Sequence, residues 1–207
     1  MTGDELRALL VAALPGLREH VDELRDLDAA LGDGDLGITV DGSVGAALAA
    51  LEAVPAGTPP SGVLLALAPV IARANPSTFA ALSAGGLMAA ARAIAGEETV
   101  DAAGWIRAGR AGADMIATRG KSAFGDKTVL DALLPSLDAA DDVVAARGAG
   151  VLEAAIVAAR DGVETSAGLV SRRGRAAWIG ERGQGSRDAG AVAWLRFLEA
   201  LAAADAG

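Results

Sequence analysis

Apolar residues recur at three- and four-residue steps through the N-terminal part of the chain, which is the pattern of an amphipathic helix. The positions are Leu6, Leu9, Leu10, Leu14, Leu17, Val21, Leu24 and Leu27. Thr2 and Glu5 have the spacing of a capping box at the start of this helix. Pro15 predicts a kink or a division, because proline removes a backbone donor and clashes with the preceding turn. The helix would deliver Asp28 at its C-terminal end, where glycines take over.

Seven further segments have helical periodicity and end at glycine, proline or polar clusters. They cover about residues 39–54, 62–74, 77–94, 100–118, 126–146, 150–165 and 188–203. No alternating strand pattern competes with them, and no proline- or serine-rich linker divides the chain. We therefore expect an all-α fold of about eight helices, formed as one domain over residues 1–207.

The composition also favours helices over sheets. Hydrophobic residues make up 52% of the chain but aromatic residues only 3%, so the core must consist mainly of alanine, leucine, valine and isoleucine. The chain has no cysteine, which excludes disulfides and fits a cytoplasmic location. The N-terminus lacks the pattern of a signal peptide, and no apolar run of about 18 residues is free of charge, so we expect no membrane span.

The formal net charge is −9 and no dense basic patch is present, which argues against a nucleic acid partner. Such a net charge attracts metal cations only weakly, so a cation site requires a local cluster of acidic groups.

One such cluster is LDAALGDGDLG, residues 27–37, which contains Asp28, Asp33 and Asp35. A helix end followed by a glycine-flanked turn can bring these carboxylates together, and such oxygen ligands suit Mg²⁺ or Ca²⁺. The spacing of an EF-hand fails, because Gly37 and Val44 stand where that loop needs ligands. A Mg²⁺ site completed by phosphate oxygens is one interpretation, and a polar turn whose aspartates cap neighbouring helices is the other.

The second cluster is RGKSAFGDKT, residues 119–128. It approaches the phosphate-binding P-loop pattern, but Asp126 precedes Lys127 where the pattern requires glycine, and a helical segment precedes it instead of a strand. We therefore reject a P-loop fold. The alternative is a helix start with Asp126 as the N-cap.

Two further segments combine small or basic residues with glycine. RRGRAAWIGERGQGSRDAGA, residues 172–191, is either a loop that faces an anion or a solvated surface loop, followed by Asp188 as the cap of the last helix. NPSTFAALSAGGLMAAARA, residues 75–93, would either seat a phosphate or adenine or allow close helix packing.

Three of these segments, LDAALGDGDLG, GDKTVLDALLP and GRAAWIGERGQGSRDAGA, together resemble the nucleotide-binding L domain or L subunit of the dihydroxyacetone kinase family. The last is similar to the family's GRASYxGERSxGxxDPGA, and the resemblance covers nearly the whole chain in order. It implies an eight-helix antiparallel α-barrel that holds ATP or ADP and two Mg²⁺ ions at one end.

The resemblance also implies roles for individual residues. The metal ligands would be Asp28, Asp33 and Asp35. Phosphates would contact Leu36, Gly37, Ile38 and Thr39, the loop at Ser83, Ala84 and Gly85, and Arg175, which would also be catalytic. Gly120 and Val129 would border the adenine, and Asp188, Ala189 and Gly190 would complete the nucleotide site.

Several positions depart from the family pattern. Leu36 replaces a histidine and Thr39 an asparagine. The family's GG-[AT]-S-G-P-L loop becomes LSAGGLM, so that Ala84 stands where the phosphate-contacting serine is expected, with Ser83, Ser77 and Thr78 as substitutes. DAGA also replaces DPGA.

As a function, the resemblance implies phosphoryl transfer to a small ketose or triose held on a separate K subunit. The phosphoryl donor would be either ATP or a bound ADP that a phosphotransferase-system protein rephosphorylates. A homodimer is a further expectation. The alternative function is a non-catalytic nucleotide-binding regulator that docks to another protein.

Overall fold

The N-terminal apolar stripe forms helix as predicted, and the helix is divided at Pro15. The computed structural model describes residues 1–178 and 180–205, and of Arg175 and Ala176 the backbone alone. Helix α1 covers Gly3–Ala13, a 3₁₀ helix follows over Leu14–His20, and α2 covers Val21–Leu31. The predicted capping box is present, because Thr2 accepts a hydrogen bond from the Glu5 N–H and the Glu5 carboxylate accepts one from the Thr2 N–H.

All seven remaining predicted helices are also present. They are α3 Leu36–Ala53, α4 Pro60–Ala74, α5 Thr78–Ala93, α6 Ala102–Gly120, α7 Leu130–Ala145, α8 Val151–Ala167 and α9 Ala189–Asp205. Two short 3₁₀ helices, Arg175–Trp178 and Gly180–Gly183, lie in the connection between α8 and α9. The largest difference from the prediction concerns α7, which was expected from residue 126 and begins at Leu130.

The helices form a closed ring. Each helix from α2 to α8 packs against the next one along the chain, and α9 packs against both α1 and α2. With α1 and α2 counted as one interrupted helix, this is the expected eight-helix antiparallel α-barrel. Within the described ranges, the only strand-like pairing is an isolated bridge between Thr2 and Thr99.

The core of the ring is aliphatic, as the composition predicts. Its fully buried side chains include Leu24, Leu51, Val63, Ile94 and Val100. Helix α3 is long and apolar enough to cross a membrane by length and composition. It nevertheless carries Asp41 and Glu52 and packs in the ring between α2 and α4.

Because successive helices alternate in direction, four connections lie at one end of the barrel. These are the connections between α2 and α3, α4 and α5, α6 and α7, and α8 and α9, at residues 32–35, 75–77, 121–129 and 168–188. Every polar motif noted in the sequence falls in or beside one of them. We call this end the site end.

Candidate functional site

Three carboxylates meet at the site end, in what we call the acidic cluster. Asp28 lies in the last turn of α2, Asp33 lies in the connection, and Asp35 immediately precedes α3. One oxygen from each lies within 4.8 Å of the others. Gly34 makes this turn with a φ of +74°, a conformation that side-chain-bearing residues rarely adopt. The turn therefore brings together the residues predicted to bind metal.

The acidic cluster has the electrostatics of a cation site. Partial burial, and then the nearby charge of Asp28, raise the pKa of Asp35 above its ordinary value. A divalent cation would relieve that repulsion, and a set of three carboxylates matches the preference of Mg²⁺ for oxygen ligands. The capping interpretation also holds in part, because Asp28 accepts a 3.2 Å hydrogen bond from the Leu36 N–H at the start of α3.

The first turn of α3 leads directly out of the acidic cluster. Leu36 and Thr39 have buried side chains, whereas Ile38 is 67% exposed. Gly37 allows α3 to approach α2, because a Cβ there would collide with the Val21 carbonyl oxygen. The first N–H groups of a helix have no carbonyl partner within it. Leu36 donates its N–H to Asp28 and Thr39 donates its N–H to the Asp35 carbonyl, so the donors that this turn offers to an anion are those of Gly37 and Ile38. Leu36 and Thr39, the two residues of this turn that depart from the family pattern, therefore have their side chains in the core.

Thr39 has a partner that the sequence did not suggest. Its hydroxyl accepts a 2.6 Å hydrogen bond from the side-chain amide of Asn75, which directly follows α4. This bond joins α3 to the connection between α4 and α5. The threonine that replaces the family's asparagine is therefore buried, and its hydroxyl accepts a bond from within the protein.

The expectation of a phosphate loop at Ser83, Ala84 and Gly85 is wrong in its local structure. All three residues lie inside helix α5, which begins at Thr78. Ser77 is the N-cap of that helix, and its hydroxyl accepts a 3.1 Å hydrogen bond from the Ala80 N–H.

The glycines of this stretch serve close packing of α5 on α6. A Cβ on Gly86 would lie 3.3 Å from the Ile116 side chain, and one on Gly112 would lie 3.2 Å from the Gly86 carbonyl oxygen. A Cβ on Gly85 would collide with Met115. The packing interpretation of the LSAGGLM segment therefore accounts for its glycines.

The GDKT segment is a buried turn. Asp126 does not cap α7, contrary to the helix-start interpretation, because α7 begins four residues later. Its carboxylate instead accepts hydrogen bonds from the Ala123 N–H at 3.1 Å and from Arg173 Nε at 3.0 Å. The hydrogen bond and charge of Arg173 hold the pKa of Asp126 below its ordinary value. The turn is thereby joined to the arginine-rich connection.

Sequence reasoning missed Asp131 and Lys127. Asp131 is buried, and its carboxylate accepts hydrogen bonds from the N–H groups of Gly125 and Thr128. Lys127 is only 2% exposed, and its ammonium donates to three backbone carbonyls. The similarity of GDKT to a P-loop favoured a phosphate site. Asp131, four residues after Lys127, was the residue that could have indicated a structural turn.

The arginine-rich connection between α8 and α9 uses several of its charges within the protein. Arg173 pairs with Asp126, and Arg187 lies 3.5 Å from Glu23 and 3.9 Å from Glu164. Arg175, the predicted catalytic residue, has its backbone in a 3₁₀ helix, but its side chain lies outside the described part of the structure. The expected anion-facing loop is thus partly a network of ion pairs.

Asp188 caps the last helix as predicted. Its carboxylate accepts a 2.8 Å hydrogen bond from the Ala191 N–H. Burial of the carboxylate, together with the neighbouring charge of Asp131, raises the pKa of Asp188 to about 7, against the opposing effects of backbone donors and Lys127. This group therefore changes charge near neutral pH.

The residues predicted to border the adenine fall in two places. Val129 lies beside Gly190, since a Cβ on Gly190 would be 3.6 Å from that of Val129. Gly120 lies at the end of α6, where its Cβ would be 3.1 Å from the Ser122 hydroxyl and 3.6 Å from Leu82. Ala189 is the buried first residue of α9.

Two cavities were identified among the described residues, and the acidic cluster lines neither of them. One of about 400 Å³ lies between α2 and residues 185–187. The other, of about 660 Å³, lies at the opposite end of the barrel beside Trp105.

Comparison with known proteins identifies relatives across most of the chain. Residues 30–203 match the DAK2 domain family. L-erythrulose 1-kinase of Mycolicibacterium smegmatis is 34% identical over 180 residues, which are 86% of this chain and 32% of that protein. Triokinase/FMN cyclase of Homo sapiens is 31% identical over 195 residues, which are 92% of this chain and 32% of that protein. The chain thus spans about a third of the length of both.

A third relative is similar in length to this chain. The ADP-binding subunit DhaL of PEP-dependent dihydroxyacetone kinase 1 from Listeria innocua is 31% identical over 192 residues. The match covers 89% of this chain and 88% of the subunit. Among solved structures, the dihydroxyacetone kinase from C. freundii in complex with AMP-PNP and Mg²⁺ superposes with a TM-score of 0.74 at 23% identity. That likeness covers 96% of this chain and 34% of the kinase, and it establishes the shared fold.

Proposed function

The chain belongs to the DAK2 domain family, and from this membership we propose that it is the nucleotide- and Mg²⁺-binding subunit of a dihydroxyacetone-type kinase. Residues 1–207 would act as one domain, in the cytoplasm. One observation carries the proposal: three carboxylates with oxygens within 4.8 Å of one another immediately precede the N-terminus of α3.

Asp28, Asp33 and Asp35 fit Mg²⁺ by donor type and by mutual distance, and we propose that they hold two ions. When bound, Mg²⁺ neutralises charge on phosphate oxygens and keeps them aligned for transfer. Asp33 is exposed, and phosphate oxygens would complete the coordination of the ions. The pKa of Asp35 is raised first by burial and then by the charge of Asp28, and a bound cation would offset both effects by favouring the charged carboxylate.

The protein's own groups would orient the nucleotide. The Gly37 and Ile38 N–H groups would donate to phosphate oxygens at the N-terminus of α3, while the Leu36 and Thr39 N–H groups, which donate to Asp28 and Asp35, would hold this turn in place. Arg175 would pair with a phosphate oxygen and stabilise the charge of the transition state. Asp188, the cap of α9, and Ala189, its first residue, would complete the nucleotide site. Gly190, beside Val129, would contact the base on one side, with Gly120 on the other.

The reaction would transfer a phosphoryl group to an alcohol. The acceptor oxygen forms a bond to the terminal phosphorus, the bond from that phosphorus to the bridging oxygen breaks, and the hydroxyl proton passes to a base. We propose that a separate K-type subunit holds the sugar and supplies this base. The printed names of the relatives, which include L-erythrulose 1-kinase and triokinase, support a small ketose or triose as substrate.

The site end has apolar side chains suited to a partner subunit. Ile38 is 67% exposed, Phe124 62% and Trp178 86%, and each belongs to a different connection or first turn at this end. Several exposed large apolar residues at one end of a protein are typical of interaction surfaces. Docking of a K-type subunit here would bring its sugar to the end of the barrel that carries the acidic cluster. A homodimer would use another face.

A non-catalytic nucleotide-binding regulator is the second candidate. It is favoured by the α5 segment, where Ala84 is buried within a helix and the Ser77 hydroxyl caps that helix. The intact acidic cluster favours the kinase, because a docking module has no need of three convergent carboxylates.

Two measurements test the proposal. Calorimetry with ADP and Mg²⁺ should detect binding that disappears when the metal is chelated, and no binding would reject both nucleotide-dependent functions. Phosphate transfer from ATP to dihydroxyacetone is then measured with a purified K-type subunit. Product without any phosphocarrier protein identifies ATP as the donor, whereas product only with the phosphocarrier identifies bound ADP. Binding without either transfer favours the regulator.

A further inference from the structure

Lys127 is a buried cation whose donors are all engaged. Its side chain is 2% exposed, and its backbone has a φ of +60° within the turn before α7. The ammonium donates to the carbonyl oxygens of Gly183 at 2.7 Å, Leu169 at 3.1 Å and Ala167 at 3.4 Å. A lysine ammonium has three N–H donors, so this arrangement leaves none for a phosphate. Lys127 therefore acts through the segments that it binds.

The three carbonyls belong to the two ends of one connection. Ala167 is the last residue of α8, and Gly183 ends the second 3₁₀ helix, so a single ammonium fixes both ends of the segment that carries Arg175. Two backbone bonds support this closure. The Gly185 N–H donates to the Ala167 carbonyl at 2.8 Å, and the Arg172 N–H donates to the Asp126 carbonyl at 3.1 Å.

The same ammonium is linked to the acidic cluster through Gly183 and Leu31. Gly183, which accepts the shortest of its bonds, packs against Leu31, because a Cβ on Gly183 would lie 2.9 Å from Leu31 Cδ2. Leu31 is the last residue of α2, between Asp28 and Asp33. On the other side, the charge of Lys127 acts on Asp188 at the start of α9. The ammonium thus connects the GDKT turn, the arginine-rich connection and, through Gly183 and Leu31, the end of α2.

We propose that Lys127 is a positioning residue for phosphoryl transfer, which sets the arginine-rich connection at a fixed distance from the acidic cluster. This inference rests on the proposed kinase function. A buried lysine held by carbonyls alone is weak evidence for stability, because desolvation of the charge opposes the hydrogen bonds. A role in positioning explains the buried lysine better than a role in stability, since small displacements of a catalytic group reduce the rate of transfer far more than they reduce binding.

The test compares Lys127→Met with Lys121→Met. Methionine keeps an unbranched side chain but removes the charge and the donors, and Lys121 is an exposed lysine that also has a left-handed φ. In Lys127→Met we expect kcat to fall about 10- to 100-fold while the Kd for Mg·ADP changes by less than about threefold. Hydrogen exchange should rise at the amides of Arg172 and Gly185. Lys121→Met should match the wild type in all three measurements.

Two results would overturn the proposal. One is an unchanged kcat in Lys127→Met. The other is a parallel loss of kcat, nucleotide affinity and exchange protection throughout the barrel, which would make Lys127 a residue of the fold alone. If wild-type protein binds no Mg·ADP, the proposed function fails instead, and the exchange data still report whether Lys127 holds the connection.

A second pair of variants tests the next contact, the packing of Gly183 on Leu31, without removing the Lys127 charge, in case Lys127→Met does not fold. Gly183→Ala places a Cβ 2.9 Å from Leu31 Cδ2, whereas Gly168→Ala has its nearest neighbour at 3.7 Å. We expect Gly183→Ala to lower kcat with little change in Kd, and Gly168→Ala to leave both unchanged. Equal activity of both variants, together with an unfolded Lys127→Met protein, would reject a positioning role.

Discussion

The side-chain amide of Asn75 donates a 2.6 Å hydrogen bond to the Thr39 hydroxyl, which joins the end of α4 to the first turns of α3. Thr39 is completely buried, so this bond forms away from water. It fixes α3 just behind the backbone that would contact phosphate.

Thr39→Val tests this relationship. Valine has nearly the same shape but cannot accept the bond, so the Asn75 amide loses a partner and the free energy of unfolding should fall by about 1–2 kcal/mol. Chemical denaturation measures the change. Affinity for Mg·ADP should remain near that of the wild type, because the Thr39 side chain is buried and the substitution leaves the backbone of this turn unchanged. A large loss of affinity at unchanged stability would contradict this assignment.

Asp33→Ala should abolish Mg²⁺-dependent nucleotide binding while the helical content is retained. Asp33 is exposed and lies in a connection, so its truncation removes a metal ligand and little packing. Calorimetry and circular dichroism provide the two readouts. The matched control is Asp26→Ala, an exposed carboxylate on α2 that pairs with Arg25. Retained affinity in Asp33→Ala, or equal loss in the control, would reject the metal assignment.

Binding of Mg²⁺ should weaken on acidification at a higher pH than ordinary aspartates would require. The pKa of Asp35 is raised in the free protein by burial and by Asp28, and a metal ligand must be deprotonated. Protons therefore compete with the metal as the pH falls toward that raised pKa. Titrations with Mg²⁺ at constant ionic strength, between about pH 4 and pH 8, measure this competition. A flat profile down to the range of an unperturbed carboxyl group would contradict it.

Asp188 should make the free protein less stable as the pH rises. Its pKa is about 7 in the folded state and ordinary when unfolded, so between these values the folded state binds the extra proton. The contribution of Asp188 to the free energy of unfolding is therefore most favourable below its unfolded-state pKa and is lost as the pH rises through about 7.

Asp188→Asn should therefore stabilise the protein at pH 8 by about 1–2 kcal/mol, and the gain should shrink toward pH 4. Asparagine keeps an acceptor for the Ala191 N–H, so the helix cap is preserved. Thermal unfolding at several pH values measures the difference. The control is the exposed residue Asp138, whose replacement by asparagine should not produce this dependence. A constant difference at all pH values would contradict the titration of Asp188.

Local periodicity was sufficient to predict the helices, because each one buries a stripe of apolar residues and begins or ends at a recognisable signal. Thr2, Pro15 and Asp188 act through neighbours in sequence, and their roles followed from spacing alone. The acidic cluster could also be predicted, since its three aspartates lie close together in the sequence, between Asp28 and Asp35.

Contacts between distant segments could not be predicted in this way. Lys127 reaches carbonyls 40 to 56 residues further along the chain, and no pattern around the lysine indicates that they are near. Asp126 was interpreted as a helix cap because only its sequence neighbours were visible, whereas Arg173 is its ion-pair partner. The glycines of α5 could not be explained from the sequence for the same reason, since they allow α5 to pack closely on α6.

Closure of the ring has a consequence for the connectivity of the chain. Because α9 packs against α1, Met1 and Asp205 both line the cavity at the end of the barrel away from the acidic cluster. A short peptide joining residue 205 to residue 1, with the chain opened instead in the turn at residues 54–59, would leave every other neighbouring helix pair in place. Such a circular permutant should keep the acidic cluster and its nucleotide affinity, since the geometry of the site depends on the ring and not on the order in which its helices are connected.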